Sequence, residues 1–289
     1  MRKIISILAV SLLLGSTSFA HEEPPKTLKE KQEKEEKRLA IRAAKISAST
    51  LWKIPVSDGV ADSASAEKYL TTLYNSDGRP VKMMVFKENG ILDYHVELVY
   101  DQLGNIFTDT DLGSDGIISQ HIEYFYDAQG RVRSQNNYGR EKMPDSNFKF
   151  EINDEVNELL FTKRSFDNRV EYYILYKYEK SVDYGNNTEI IKMSPTEELI
   201  TRVENEYAPS GKRTIKRVFD ENNKLMYYFC YEYDEQQRLS EILKKSPEDE
   251  TLTITSYTYN DKGMEFIVEL TDSAGILKLR NFHTYEYRK

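Results

Sequence analysis

A period of 26 residues, marked by an aromatic followed by Asp or Asn, constrains this chain more than any other feature. Tyr74-Asn75, Tyr100-Asp101 and Tyr126-Asp127 stand one period apart, and further steps land on Ile152-Asn153 and Tyr178-Glu179. A longer step reaches Tyr207, after which the period resumes at Tyr233-Asp234, Tyr259-Asn260 and Tyr285-Glu286. Landmarks held in register over this length define an internal repeat. Each is followed by a turn position at Gly78, Gly104, Gly130, Gly211, Gln237 or Gly263. Half a period later comes a second turn, at Asn89-Gly90, Asp115-Gly116, Asn222-Asn223, Glu248-Asp249 and Ala274-Gly275. Residues of these types supply the positive φ that hairpin turns need. Each repeat therefore predicts two short antiparallel strands and two turns.

Alternation within the segments agrees with strands. Leu225, Tyr227, Phe229, Tyr231 and Tyr233 share one face, as do Ile118, Ile122, Tyr124 and Tyr126. Other segments, such as 131–137, are polar on both faces. The stretch 142–201 keeps the period but lacks the turn glycines, and reads as degenerate repeats in one array. The fold class expected is all-β: a long antiparallel meander of about sixteen strands, twisted or curled, with a short N-terminal helix. Whether such a sheet stays open, spirals or closes is not legible. An open one needs its edge strands covered, a job the helix near 28–48 could do.

Three segments are expected. Residues 1–20 carry Arg2 and Lys3, an apolar run Ile4–Leu14, and small residues before His21, the pattern of a cleavable signal peptide. Its apolar run is too short to span a bilayer, and no integral membrane span is expected after cleavage. Residues 21–50 are rich in Lys and Glu and read as a charged helical linker or cap; residues 51–289 are the repeat domain. The formal charge is −8, and loss of Arg2 and Lys3 makes it more acidic, which argues against nucleic acid as a partner. The single cysteine, Cys230, excludes an intramolecular disulfide and reads as a buried, inert thiol. Stability must come from packing and strand pairing.

Tyr126-Asp127-Ala128-Gln129-Gly130-Arg131-Val132 resembles the YD repeat of the RHS family, whose signature is Tyr-Asp, two variable residues, Gly-Arg and an aliphatic. Residues 233–239 match with Gln237 in place of the glycine, and 74–79 and 100–105 match in part. The resemblance covers most of residues 70–289. It implies a bacterial, exported or surface-associated hairpin-repeat protein. RHS proteins use far longer arrays to wrap a toxin, so that role is not carried over.

No catalytic constellation emerges. His95 with Glu97 and His121 with Glu123 occupy the same register, but equivalent strands in a meander are separated by another strand bearing Thr108 and Thr110, leaving them about 10 Å apart. Repeat-copied surface residues explain them better than a metal site. Asp109 and Asp111 alternate along one strand, whereas glycoside hydrolysis needs two carboxylates opposed across a cleft. The chain is expected not to be an enzyme, and no cofactor or metal is implied. The marker tyrosines are assigned a structural role. Tyr138, Tyr172, Tyr173 and Tyr184 are the aromatics expected to form a binding patch. The leading functional expectation is a periplasmic, cell-surface or secreted scaffold that binds a protein or glycan. An outer-membrane β-barrel is the alternative, with a carbohydrate-active hydrolase as a minor one. Segments 131–137 and 238–245 break the continuous apolar face a membrane barrel requires.

Overall fold

The structure is a computed structural model that describes residues 28–180, 182 and 185–288; the signal-peptide segment and Tyr184 lie outside the described residues. It opens with helix α1 (Leu28–Ala43), followed directly by strand β1 (Ile46–Ile54). A two-residue hairpin, β2 (Val56–Ser57) and β3 (Val60–Ala61), leads into the repeats. These run β4 (Glu67–Tyr74), β5 (Pro80–Phe86), β6 (Leu92–Tyr100), β7 (Ile106–Gly113), β8 (Ile118–Tyr126), β9 (Val132–Tyr138), β10 (Pro144–Asn153) and β11 (Glu158–Ser165). They continue as β12 (Val170–Tyr178), β13 (Asn187–Met193), β14 (Leu199–Tyr207), β15 (Arg213–Phe219) and β16 (Leu225–Tyr233). The last are β17 (Leu239–Lys245), β18 (Thr251–Tyr259), β19 (Glu265–Asp272) and β20 (Leu277–Tyr287).

Every strand from β4 to β20 pairs antiparallel with its neighbours in sequence, as the periodicity predicts. The expected count of about sixteen strands is corrected to eighteen, and of the open, spiral and closed forms the sheet takes the closed one, because β1 pairs with both β20 and β4 and completes the ring. The marker residues end the even-numbered strands, and β5 through β19 supply odd-numbered partners for all but the last of them. The missing partner, beside β20, comes from the N-terminus as β1, which begins inside the segment expected to be linker. Its seam is well matched: Ser49 opposes Tyr285, Thr50 opposes Thr284, and Trp52 opposes Phe282. The Trp52 and Phe282 rings stack at 5.9 Å, and Trp52 Nε1 donates to Thr284 Oγ1 at 3.0 Å.

Closure removes the edges that would otherwise template aggregation. α1 therefore does not cover an edge. It packs on the first marker turn, where Arg38 Nη1 donates to the Asp77 carbonyl at 2.6 Å and a Cβ on Gly78 would lie 2.5 Å from the Arg38 carbonyl oxygen.

Curvature comes from the turns. In a marker turn, Asp127 N–H donates to the Arg131 carbonyl at 2.9 Å and Gly130 N–H to the Asp127 carbonyl at 2.9 Å. The fourth turn residue sits at positive φ, +75° for Gly130 and +62° for Gln237. This is a type I turn closed by a one-residue bulge. Matching register shifts recur at strand ends, at Val99/Tyr100, Phe125/Tyr126, Glu232/Tyr233 and Thr258/Tyr259. A bulge bends and twists its strand, and repeated around the sheet it curls the meander into a ring. In the degenerate stretch the same backbone conformation is held by Asn157, Asn168 and Glu197.

The core lies on one face. Val96 and Leu98 are buried while Glu97 and Val99 between them are exposed, and Phe229, Tyr257 and Ile174 repeat the pattern on β16, β18 and β12. On a closed sheet, side chains converge on the concave face and diverge on the convex one. The buried face is therefore the inward face. Its densest part gathers Phe148, Phe150, Leu159, Phe161, Ile174 and Tyr176 from β10 to β12.

Candidate functional site

The motif residues are absorbed by the architecture. Tyr100 Oη donates to the Pro80 carbonyl at 2.7 Å, and Tyr126 to Ile106 at 2.6 Å. Tyr207 reaches Asn187 at 2.9 Å, Tyr233 reaches Arg213 at 2.9 Å, Tyr259 reaches Leu239 at 2.8 Å, and Tyr285 reaches Glu265 at 2.6 Å. Each acceptor is the first residue of the preceding strand, beside the bulge, where a ladder carbonyl would otherwise lack a donor. The following Asp or Asn wraps the turn: Asp127 Oδ1 accepts from the backbone N–H of Gln129 and Arg131 at 3.0 and 2.8 Å. The arginine then joins repeats. Arg238 Nε donates to Asp234 Oδ2 at 2.7 Å while its guanidinium lies 4.4 Å from the centre of the Tyr259 ring. The marker tyrosines thus have the structural role expected of them.

The three described aromatics assigned to a binding patch, Tyr138, Tyr172 and Tyr173, do not share one face. Tyr138 is on the outward face, donating to Glu123 Oε2 at 3.1 Å with its ring 5.9 Å from His121. Tyr172 faces inward on β12, stacked 6.0 Å from Phe161 with Lys192 Nζ 4.0 Å over its ring. Tyr173, the next residue, faces outward opposite Thr162 and Met193. Cys230 is half-buried on the outward face of β16 rather than sealed in the core, and burial pushes its thiol up.

The paired histidines lie outward. His95 Nε2 is 3.3 Å from Glu97 Oε1, and His121 Nε2 is 3.6 Å from Glu123 Oε1. Thr110 lies between the two repeats and its Oγ1 meets His121 Nδ1 at 2.8 Å. Among the described residues no cluster of three or more His, Cys, Asp or Glu could hold a metal ion.

The inward wall holds a pair the sequence named without placing, and lysines it did not single out. Asp109 and Asp111 oppose the inward residues Leu98 and Val96. Burial raises their carboxyls to about 7 and about 6, with Asp111 adding to the shift of Asp109. Further round the ring Lys192, Lys216 and Lys244 face inward opposite Ile174, Phe229 and again Phe229. Lysines at apolar register positions disguise the strands' alternation, so composition alone hides them. The outward face of the same arc is a different surface. Lys177, Glu189, Glu204 and Arg217 form one cross-strand row over β12 to β15. Lys177 Nζ lies 2.9 Å from Glu189 Oε2, Arg202 Nε lies 2.5 Å from Glu189 Oε1, and Arg217 pairs with Glu206.

No protein-family model matches the chain, and no curated protein does. Among solved structures it is similar to a porin-like protein from Bacteroides uniformis, at 12% identity and TM-score 0.43, over 83% of this chain and 98% of that one. A porin-like protein from Bacteroides vulgatus matches at 9% identity and TM-score 0.37, over 84% and 98%. The TcdB2-TccC3 complex without its hypervariable C-terminal region matches at 14% identity and TM-score 0.26, over 73% of this chain and 12% of that one. The ring closure itself stands on the chain's own strand pairing.

Proposed function

We propose that this chain is an exported, water-borne β-barrel of the bacterial cell envelope that binds a ligand on its inward wall and is not an enzyme. The observation that carries this reading is the orientation of the faces. Ile174, Tyr176 and Phe161, at 0%, 1% and 1% exposure, are covered by the chain itself, whereas lipid-facing residues stay accessible in a lone chain. The outward face carries ion-paired rows at mid-strand, and Arg or Lys at the bilayer midplane costs about 2–4 kcal/mol each. Height argues the same way. Odd-numbered strands such as β15 and β17 have 7 residues. At about 3.3 Å per residue and a tilt near 40°, such a strand rises roughly 18 Å, short of an apolar band about 25 Å tall. A ring of this strand number leaves an aqueous lumen in barrels of known type. Tyr94, Tyr124, Tyr227 and Lys216, all inward, accordingly keep partial solvent exposure.

Closure also favours a second reading, an outer-membrane barrel, as do the exposed apolar residues Val99, Phe107, Phe125, Met226 and Leu252. These do not complete a belt. Ile200, Met226 and Leu252 are the second residues of β14, β16 and β18, where β6, β8, β12 and β20 have Asp93, Ser119, Glu171 and Lys278. No helix among the described residues is long and apolar enough to cross a membrane, which says nothing of spanning strands.

Fractionation of the native protein separates the two. Release by osmotic shock or alkaline wash is expected, and protease shaving of intact cells then distinguishes the surface from the periplasm. Retention in the outer membrane until detergent is added would replace this reading with the membrane barrel.

A further inference from the structure

We propose that the inward wall of β15 to β17 binds an anion of two or more charges, with Arg213, Lys216 and Lys244 as its donors. The proposal rests on the reading of the barrel as a lumen-binding module. Lys216 opposes Phe229, and Phe229 opposes Lys244, so three consecutive strands put two ammonium groups on either side of one buried ring. Lys216 Nζ is 5.7 Å and Lys244 Nζ 6.0 Å from the centre of Phe229, and Lys244 Nζ is 4.1 Å from that of Tyr227. Arg213, at the start of β15, lies 5.7 Å from the ring centres of both Tyr207 and Tyr231. Its buried Nε has no hydrogen-bond partner among the described residues.

The two faces of this arc treat their cations differently. Outward, Lys177, Arg202, Arg217 and Lys245 each sit in an ion pair. Inward, no carboxylate pairs with Arg213, Lys216 or Lys244 among the described residues. Burial, with the neighbouring charge of Arg213, pushes Lys216 down to about 8, so the fold holds the Lys216 charge at a cost that a bound anion would offset. The aromatic rings are already faced by cations, so charge rather than ring stacking selects the ligand. Counting round the ring from β1, β7 is fifth and β16 fourteenth, which sets Asp109 and Asp111 diametrically opposite the cations. That polarity draws an anion towards β15 to β17. Carboxylates of an acidic oligosaccharide and an oligophosphate share the required chemistry.

Calorimetric titration of the purified protein at pH 7 with trigalacturonate, inorganic tripolyphosphate and neutral maltotriose tests this. Binding of one or both anions, weakened by added salt, is expected, with no uptake of maltotriose. Trigalacturonate alone would identify an acidic glycan, and tripolyphosphate alone a phosphate ligand. The K216M/K244M variant should weaken binding at least tenfold while melting at or above the wild-type temperature, since it removes the buried charge of Lys216. K245M, on the outward face of β17, should leave affinity unchanged. Failure of both anions to bind the folded protein, or equal affinity in K216M/K244M, would overturn the proposal. Maltotriose binding without anion binding would remove the anion assignment and keep the lumen reading. Extraction only by detergent would remove the reading beneath it whatever the calorimetry gives.

Discussion

The inward carboxylates Asp109 and Asp111 make stability rise as pH falls through the neutral range. Asp109 ionises near 7 in the folded chain against 3.8 unfolded, because burial disfavours its charged form. A carboxyl whose folded value is raised costs stability in full above that value, and the cost fades as pH falls towards the unfolded value. Between these limits the folded state binds more protons than the unfolded one, so the slope of unfolding free energy against pH is negative. The interval of about three units corresponds to about 4 kcal/mol at 1.36 kcal/mol per unit. Partial solvent access from the lumen roughly halves that. Asp109→Asn should therefore be more stable than wild type by about 2–4 kcal/mol at pH 7.5, with the gap closing towards pH 5. Urea midpoints at half-unit intervals measure this. Comparing the two proteins cancels the opposing contribution of His121, which burial holds below its ordinary value. Parallel curves for wild type and Asp109→Asn across this range would refute the inward placement of the pair.

Three further outcomes follow from the repeat geometry. Tyr126→Phe and Tyr259→Phe remove the donors to the Ile106 and Leu239 carbonyls and should each cost about 1–2 kcal/mol in urea unfolding, whereas Tyr138→Phe, on the outward face, should cost less. Gly78→Ala should destabilise more than Gly90→Ala, because its Cβ would lie 2.5 Å from the Arg38 carbonyl oxygen, which is backbone and cannot swing away, while Gly90 has nothing within 4 Å; Gln237→Gly should raise Tm by relieving a left-handed residue worth about 1 kcal/mol. Trp52, the only tryptophan, sits at the seam, so its fluorescence transition should coincide with loss of far-UV β-signal; an earlier change would mean that the ring opens before it unfolds.

The turn positions were the most legible part of the fold. Gly78, Gln237, Asn223 and Asp249, read from the period alone, all hold positive φ. A left-handed residue is a local requirement, and local requirements leave a mark in the sequence. Closure was not legible, because β1 carries no marker tyrosine and its two partners lie at opposite ends of the repeats. The candidate site was hidden for a related reason. Each bulge shifts the alternation by one residue, so neighbours such as Tyr172 and Tyr173 cannot be assigned to faces without the register. Lys216 and Lys244 look like solvated residues in a list of charges, and only pairing with Phe229 turns them inward.

The central claim is a closed ring, and cross-linking at the seam tests it most directly. Cysteines at Thr50 and Thr284, directly opposed on β1 and β20, would be introduced with Cys230→Ser and oxidised in the folded protein. Glu241 and Ser256, opposed on β17 and β18, provide a control pair inside the meander. Closure predicts that both pairs form intramolecular disulfides to similar extents, read as a mobility shift that reductant abolishes. Oxidation of the control pair with the Thr50–Thr284 pair left reduced would mean that the sheet is open, and would contradict the account.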